Sequence, residues 1–219
     1  MKKASFILIL LIILSFAVSI YFYNSLPAQI SIHWNAAGDA DGYGSKFIGL
    51  FLVPLISIGI LLLYLAIPLI DPLRKNIQKF RRYYDLIFIL LLFFILYIHA
   101  LTIVFNLGYV FNFSLMIIPA MAVLFFFMGG IMINSKRNWF VGIRTPWTLS
   151  SDVVWDKTHK LGGRLFQISG IIALIGIFFG NYIIWFILVP IIVSAIVSFV
   201  YSYIVYRSIN NMKKRGTKA

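Results

Sequence analysis

The residues of this chain that could perform chemistry are few and lie far apart. Among 219 residues there are three histidines, six acidic residues and no cysteine. His33 lies in an early polar segment, His99 within a long apolar run and His159 in a late polar segment. The apolar runs that separate them are long enough to cross a bilayer, so the three imidazoles cannot converge on one reaction centre. The sequence therefore predicts a protein that is not an enzyme, with no catalytic residue and no cofactor.

The early polar segment combines one histidine with two carboxylates. Asp39-x-Asp41 begins like a calcium-binding loop, but the twelfth position of that motif, which must be acidic, is Leu50. A metal site made of His33, Asp39 and Asp41 is the hypothesis that remains. Aspartates in a turn are the simpler interpretation, because Asp and its Gly and Asn neighbours favour turns by themselves. We therefore predict no metal.

The same segment offers the material for capturing a peptide. Trp34 and Tyr43 supply aromatic faces, which also suit the headgroup level of a membrane, beside the charged groups. Residues 29–34 alternate polar and apolar, which predicts a short strand, and residues 35–44 carry the Gly, Asn and Asp of a turn. The candidate ligand-binding residues are His33, Trp34, Asn35, Asp39, Asp41, Tyr43 and Lys46.

A polar stripe lies inside one of the apolar runs. Thr102 and Asn106 follow His99 at successive helical turns, which places all three on one face. Polar groups within a membrane are costly and often functional, so the stripe could be the proton relay of a transporter. A neutral imidazole bonded across helices is the interpretation we favour, because the one carboxylate in any predicted span is Asp85, at the very start of the third helix. A small-molecule or proton-coupled transporter is the alternative function.

Composition indicates which elements must position these residues. The chain is 62% hydrophobic and 11% charged, with a mean hydropathy of +0.97, whereas a soluble domain carries about 25% charged residues. Its basic residues form short clusters between apolar runs, which suits anionic lipid headgroups and not nucleic acid. A spanning helix needs about 20 apolar residues. The sequence predicts an all-α polytopic membrane protein with six transmembrane helices, at about residues 4–23, 47–69, 85–107, 113–133, 164–180 and 183–206.

Charge asymmetry predicts the orientation of the helices. Of the nineteen Lys and Arg residues, all except Lys46 fall in segments that are cytoplasmic when both termini are inside. The prediction is a multi-pass protein of the cell membrane. Its predicted parts are helices 1–2 (1–69) with an extracytoplasmic loop (24–46), helices 3–4 (70–133), a cytoplasmic loop with an interfacial segment (134–163), and helices 5–6 with a basic tail (164–219).

Three helices that would run inward carry a proline about two turns below the outer surface. These residues are Pro54, Pro119 and Pro190. Proline kinks a helix and frees a carbonyl, so kinks at similar depth could open a cavity in the outer half of the bundle. The alternative is that proline is simply common in membrane helices.

The long inner loop combines a helix stop with aromatic side chains. Thr145-Pro146 cannot continue a helix, because the residue before proline is pushed to extended geometry. Ser150 or Ser151 can then cap a short helix lying on the inner leaflet, with Trp147 and Trp155 at its edges. A sharper interpretation makes Arg144, Trp147 and Trp155 a docking surface for a cytoplasmic partner, or a gate under the bundle.

This loop carries a specific resemblance. Asn138-x-x-x-Gly-Ile-Arg-Thr-Pro-Trp-Thr-Leu, with Asp152-x-x-Trp155 and Gly163-Arg164, closely resembles the SdpI family of toxin-immunity membrane proteins. Residues 26–46 resemble the small extracytoplasmic domain of unknown function, of the 1648 type, that is often fused to it. The candidate coupling or partner-binding residues that correspond to the loop motif are Asn138, Arg144, Thr145, Pro146, Trp147, Thr148, Trp155, His159 and Arg164.

The resemblance covers nearly the whole chain and implies a function. Members of the family have six helices, and some protect the producing cell from a secreted hydrophobic peptide toxin that collapses the proton gradient. Some also hold a cytoplasmic transcription repressor at the membrane. We therefore expect a membrane immunity or sensor protein that binds a secreted antimicrobial peptide toxin, with a cytoplasmic repressor as a second expected partner.

Overall fold

The structure is a computed structural model and describes residues 2–216. Two short 3-10 segments, Tyr23–Ser25 and Ile177–Tyr182, follow the first and the seventh helix. Residues 217–219, the end of the predicted basic tail, lie outside the described residues. The helices and strands are α1 (Lys2–Phe22), β1 (Gln29–Trp34), β2 (Ala40–Ser45), α2 (Lys46–Ile70), α3 (Arg74–Lys79), α4 (Arg81–Asn106), α5 (Phe113–Asn134), α6 (Pro146–Ser150), α7 (Asp152–Gly176) and α8 (Trp185–Gly216).

Within the described residues, six helices are long and apolar enough to cross a bilayer: α1, α2, α4, α5, α7 and α8. Their outward faces expose large apolar side chains that a water-soluble protein would bury, among them Phe6, Leu62 and Ile196. A lipid environment removes the cost of that exposure. The predicted all-α polytopic membrane fold is confirmed.

The bundle has two ends. The hairpin end contains β1 and β2 together with residues 107–112 and 177–184, and the loop end contains residues 135–151 and the first part of α7, up to Arg164. These names describe the molecule without reference to a membrane side.

The helices form two halves, each with its own core. In the first half, α1, α2 and α4 bury Leu8, Tyr64 and Leu92. In the second half, α5, α7 and α8 bury Ala173 and Ile187 among other residues. Helices α4 and α5 connect the halves.

The closest helix pair of the second half is α5 and α7. A Cβ placed on Gly129 of α5 would collide with the carbonyl oxygen of Gly163 in α7. A Cβ on Gly170 would likewise meet the carbonyl oxygen of Ala122 at 2.6 Å. The two backbones approach this closely because small residues face each other along the contact, as is usual in membrane bundles.

The three prolines lie at similar distances from the starts of their helices. Pro54, Pro119 and Pro190 all fall within the first three turns at the hairpin end of α2, α5 and α8. Pro54 has no N–H to donate to the carbonyl of Leu50. The Oγ atom of Ser19 in α1 donates to that carbonyl at 2.7 Å instead, so a neighbouring helix satisfies the group that proline frees.

The predicted strand is present, but the predicted turn is too long. Residues 29–34 form β1, as expected, whereas residues 40–44, which we assigned to the turn, belong to β2. Gln29 pairs with Ser45 and Trp34 with Ala40 in an antiparallel hairpin. Both glycines of β2 lie close to side chains of β1. A Cβ on Gly42 would lie 2.8 Å from the Cβ of His33, and a Cβ on Gly44 would lie 2.6 Å from Cδ1 of Ile32, so the strands could not pair this closely with larger residues there.

The fifth spanning helix starts earlier than predicted. Ser151 caps it as expected, accepting a hydrogen bond from the backbone N of Val154, but α7 then continues without a break to Gly176. The prediction of a separate short helix on the leaflet, with the span beginning at Arg164, is wrong. Its amphipathic face is explained by packing, since Val154 and Thr158 are buried against the bundle while Lys157 is exposed.

Candidate functional site

The hairpin is a strap that bonds to both halves of the bundle. On the first half, the side-chain amide of Asn106 in α4 accepts from the backbone N of Ser31 at 2.7 Å and donates to its carbonyl at 3.0 Å. On the second half, Asn112 Nδ2 donates to the carbonyl of Ala37 at 2.6 Å. The backbone N of Phe113 donates to the carbonyl of Gly38 at 3.3 Å. The strap therefore crosses the space between the halves.

Trp34 fixes the middle of this strap. Its ring stacks on Phe113 at a centroid distance of 3.7 Å and meets Phe105 edge-on at 5.4 Å. The indole Nε1 is buried and has no acceptor among residues 2–216. The indole N–H of Trp34 is therefore a hydrogen-bond donor whose hydrogen bond a carbonyl group could accept.

Beneath the strap lies an apolar cavity of about 350 Å³. Its walls come from the hairpin, α2, α4 and α5, so it sits between the two halves. Val53 precedes Pro54, and Ile117 lies two residues before Pro119. The lining residues are Ile32, His33, Trp34, Ile48, Gly49, Leu52, Val53, Ile98, Thr102, Phe113 and Ile117.

The outer surface of the hairpin is acidic although the chain as a whole is basic. Asp39 and Asp41 are exposed, and Asp41 Oδ1 lies 2.5 Å from His33 Nδ1. The one nearby lysine, Lys46, donates from Nζ to the carbonyl of Tyr23 at 3.1 Å and lies 4.4 Å from the centre of its ring. Lys46 thus supports the end of α1 and does not neutralise the aspartates.

The remaining candidates of this segment have structural contacts of different kinds. Asn35 Oδ1 accepts from the backbone N of Asp39 at 3.0 Å and so closes the turn. Tyr43 is 64% exposed, and its hydroxyl lies 3.5 Å from the carbonyl of Ala40 in its own strand. Asp39 does not join the pair of His33 and Asp41, and no group of three or more potential ligands for a metal occurs within residues 2–216.

The three residues of the polar stripe of α4 have different contacts. Asn106 holds the hairpin, and Thr102 lines the cavity while bonding to the carbonyl of Ile98 in its own helix. His99 is fully buried, and its Nε2 lies 3.0 Å from the Oγ of Ser19. The same Oγ lies within hydrogen-bonding distance of the carbonyls of Ser15 and Leu50. The contact between His99 and Ser19 joins α4 to α1.

At the loop end, most of the predicted residues are buried and hold the loop in shape. The side chain of Asn138 makes four hydrogen bonds, accepting from the backbone N of Phe140 and Val141 and donating to the carbonyls of Lys136 and Val141. Thr145 caps α6 in extended geometry, as predicted, and forms a reciprocal capping box with Thr148. Its Oγ1 also lies 3.1 Å from the Oγ of Ser202 in α8.

Trp155 and His159 form the floor beneath the loop. Their rings stack at 3.9 Å, and both side chains are wholly buried. His159 Nε2 accepts from the backbone N of Ile143 at 2.9 Å, and its Nδ1 donates to the carbonyl of Trp155 at 2.9 Å. Gly142, with a φ of +110°, passes over this pair, and a Cβ there would collide with His159. Trp155 is therefore not at the edge of an interfacial helix, and it is not part of an exposed docking surface.

Three predicted residues of the loop end do face outward. Arg144, Pro146 and Arg164 are exposed, and one guanidinium nitrogen of Arg144 donates to the carbonyl of Trp139 at 2.7 Å. Trp147 is half-buried against Phe199 and Tyr203 of α8. A partner at this face would contact the arginines and the rim of Trp147.

The comparisons with known proteins identify the family of this chain. Residues 134–202 match the model of the SdpI/YfhL protein family, and residues 10–58 match that of a domain of unknown function (DUF1648). The chain is 30% identical over 217 residues to the immunity protein SdpI of Bacillus subtilis (strain 168), which covers 96% of this chain and 100% of that relative. The chain belongs to the SdpI/YfhL protein family. No solved structure matches it.

As a member of the SdpI/YfhL family with six helices able to span a bilayer, the protein is a multi-pass protein of the cell membrane. The family-model match includes the loop end, α6, α7 and most of α8, while the other match includes most of α1, the hairpin and the first half of α2. The resemblance read from the loop and hairpin motifs is thereby confirmed.

Sequence reasoning missed residues that attach the loop of this SdpI/YfhL protein to the bundle, at α2 and at α7. Asp71, at the end of α2, is 2% exposed and accepts hydrogen bonds from the backbone N of Leu73 and of Trp139. Arg137 Nε lies 2.7 Å from Asp152 Oδ1. The only signal in the sequence was that these carboxylates flank the loop, which says nothing about their partners.

Proposed function

We propose that this chain is a membrane immunity protein that binds a secreted antimicrobial peptide toxin at its hairpin end and so protects the producing cell. In this proposal the hairpin faces outward and the loop end faces the cytoplasm, as the distribution of Lys and Arg predicts. No chemical step is involved. The near full-length similarity to an immunity protein supports the immunity role.

The observation that carries the proposal is the composition of the hairpin end. A ligand arriving there meets the exposed carboxylates of Asp39 and Asp41 and the ring of Tyr43. Behind them lies the buried indole N–H of Trp34, which has no acceptor among residues 2–216. Directly beneath them lies the apolar cavity of about 350 Å³. Acidic, aromatic and apolar surfaces in one place suit an amphipathic peptide, because apolar burial supplies affinity and charge supplies specificity.

A signalling role would use the opposite end. Arg144 and Arg164 are exposed there, and the loop bonds to α2 through Asp71, to α7 through His159 and to α8 through Thr145. A change in the distance between the two halves would therefore shift the loop and, with it, the exposed arginine side chains. A cytoplasmic transcription repressor is the partner that this part of the proposal expects.

The transporter alternative has less support. His99 bonds to Ser19, and Asp85, a carboxylate within α4, pairs with Arg81 at 2.7 Å and accepts from the hydroxyl of Tyr64 at 2.9 Å. These contacts engage both residues in holding helices together, whereas a proton relay needs groups that exchange protons along a path.

The test is survival of toxin-sensitive cells that express this chain. The challenge is the toxin against which the Bacillus subtilis relative gives immunity. We expect the wild-type chain to protect, and Trp34→Ala and Asp41→Ala each to abolish protection at unchanged membrane levels. The matched controls are Tyr182→Ala, an exposed aromatic outside the hairpin, and Asp156→Ala, a partly exposed carboxylate at the loop end. Protection that survives both hairpin substitutions would contradict the proposed site.

A further inference from the structure

One side of the cavity beneath the hairpin is bordered by exposed aliphatic side chains of a spanning helix. Two of its lining residues on α2, Ile48 and Leu52, are each 51% exposed, and Ile32 of β1 is 40% exposed. Ile48 and Leu52 belong to the outward face of a spanning helix, where exposure means contact with lipid. The rim on this side is thus a strip of aliphatic side chains.

On the other side the hairpin lies over the cavity, and of its cavity residues Trp34 is half-buried while His33 is exposed. The strap is fixed on one side by Asn106 and on the other by Asn112, and Trp34 lies stacked on Phe113 between them. A ligand entering from water would have to break these contacts. A ligand entering from the bilayer would displace only lipid.

The charge of the strap restricts what such a ligand can be. Asp39 and Asp41 are exposed directly above the cavity residues His33 and Trp34, while Lys46 is engaged with Tyr23. Asp41 lies 2.5 Å from the imidazole of His33, and neither carboxylate pairs with a lysine or an arginine within residues 2–216. Such carboxylates favour a cation at the headgroup level, just outside the apolar rim.

From these observations, and resting on the proposed function, we infer that the cavity takes its ligand sideways from the bilayer. The ligand is a membrane-embedded peptide whose apolar segment fills the cavity between α2 and α5 and whose basic residue lies against Asp39 and Asp41. The protein removes an inserted peptide from the lipid phase and does not intercept a dissolved one.

Photocrosslinking tests the route in the membrane-embedded, full-length chain. A photoreactive amino acid is placed at Leu52, at Tyr43 on the water side of the strap, or at Leu63, an exposed residue farther along α2. The probe is the toxin of the Bacillus subtilis relative, added to membranes. We expect crosslinks from Leu52, at least tenfold stronger than from Leu63. Crosslinks from Tyr43 with none from Leu52 would overturn the inference.

Filling the cavity provides the functional readout. Ile117→Trp, within the cavity, is compared with Ile196→Trp on the lipid-facing side of α8. We expect Ile117→Trp to lose protection and to lower the crosslink from Leu52 at least tenfold, and Ile196→Trp to change neither. Full protection by Ile117→Trp at normal membrane levels would overturn the inference.

The role of the two aspartates is tested separately. Replacing Asp39 and Asp41 by Asn should lower the Leu52 crosslink severalfold, and high salt should do the same to the wild-type chain, because exposed charges are screened. An unchanged crosslink would contradict the basic residue in the ligand.

The outcomes separate the two proposals. If the wild-type chain gives no protection at all, the proposed function fails. If it protects without using the cavity, only this inference fails.

Discussion

Asn106 and Ser31 are joined by two hydrogen bonds, of 2.7 Å from the backbone N of Ser31 to Oδ1 and of 3.0 Å from Nδ2 to the carbonyl of Ser31. The pair connects the backbone of β1 to the end of α4. Because Ser31 is buried, neither of its backbone groups has water as a substitute partner. The position of the hairpin over the cavity therefore depends strongly on one amide side chain.

Replacing Asn106 by Leu should loosen the hairpin. Two buried backbone groups would lose their partners, at a cost of about 1–3 kcal/mol for each. We expect faster hydrogen exchange across residues 29–45 and weaker protection of cells. The control is Asn134→Leu, since Asn134 is exposed and bonds only to the carbonyl of Gly130 in its own helix. Equal exchange in the two variants would show that the amide clamp does not hold the strap.

The orientation of the bundle can be tested with single cysteines, because the chain has none of its own. Tyr43→Cys at the hairpin end should react with a membrane-impermeant maleimide in intact cells, and Lys157→Cys at the loop end should react only after the cells are permeabilised. Both side chains are exposed, so access to each depends on the membrane side alone. The reverse labelling pattern would refute the proposed topology.

Gly142→Ala should destabilise the loop end more than Gly108→Ala destabilises the hairpin end. Both glycines have φ near +100°, at +110° and +101°, so a Cβ imposes backbone strain of about 1–3 kcal/mol at either position. Only at Gly142 does the new Cβ also collide with His159, whereas Gly108 has open space around it. The measurement is the apparent melting temperature in detergent, and similar values for both variants would contradict the contact between the loop and His159.

Gly129→Leu should prevent α5 and α7 from packing. The side chain would have to occupy the position of the Gly163 carbonyl, and overpacking of this kind costs about 1–3 kcal/mol or more. Gly59→Leu in α2 is the matched control, because nothing lies within 4 Å of a Cβ there. We expect little folded protein for the first variant and a near wild-type level for the second, measured by size-exclusion chromatography in detergent. Equal yields would mean that the close approach of the two helices is not required.

The sequence was sufficient for those features that depend on neighbouring residues. The six apolar runs predicted the six spanning helices, the alternation of residues 29–34 predicted β1, and Ser151 caps α7 as its position suggests. The extended geometry before Pro146 was likewise a local consequence of the proline ring. Each of these rests on a rule that acts over a few residues.

What the sequence could not show depends on contacts between distant segments. Gly42 and Gly44 read as turn residues, yet they lie in β2 because the side chains of His33 and Ile32 occupy the space where their Cβ atoms would be. The helical face of Val154 and Thr158 was visible, but the surface that it packs against was not. For the same reason, the partner of Asp71 appears only once the loop is folded.

The two regions that match family models both depend on the part of the chain that matches neither. Residues 59–133 contain Asn106 and Asn112, which hold the hairpin, and Asp71 and Gly129, which receive the loop and α7. A chimera that transplants the hairpin of one relative onto another must therefore carry these recipient side chains with it. We therefore expect residues 59–133, which neither family model matches, to determine which hairpins and which loops can be exchanged between relatives.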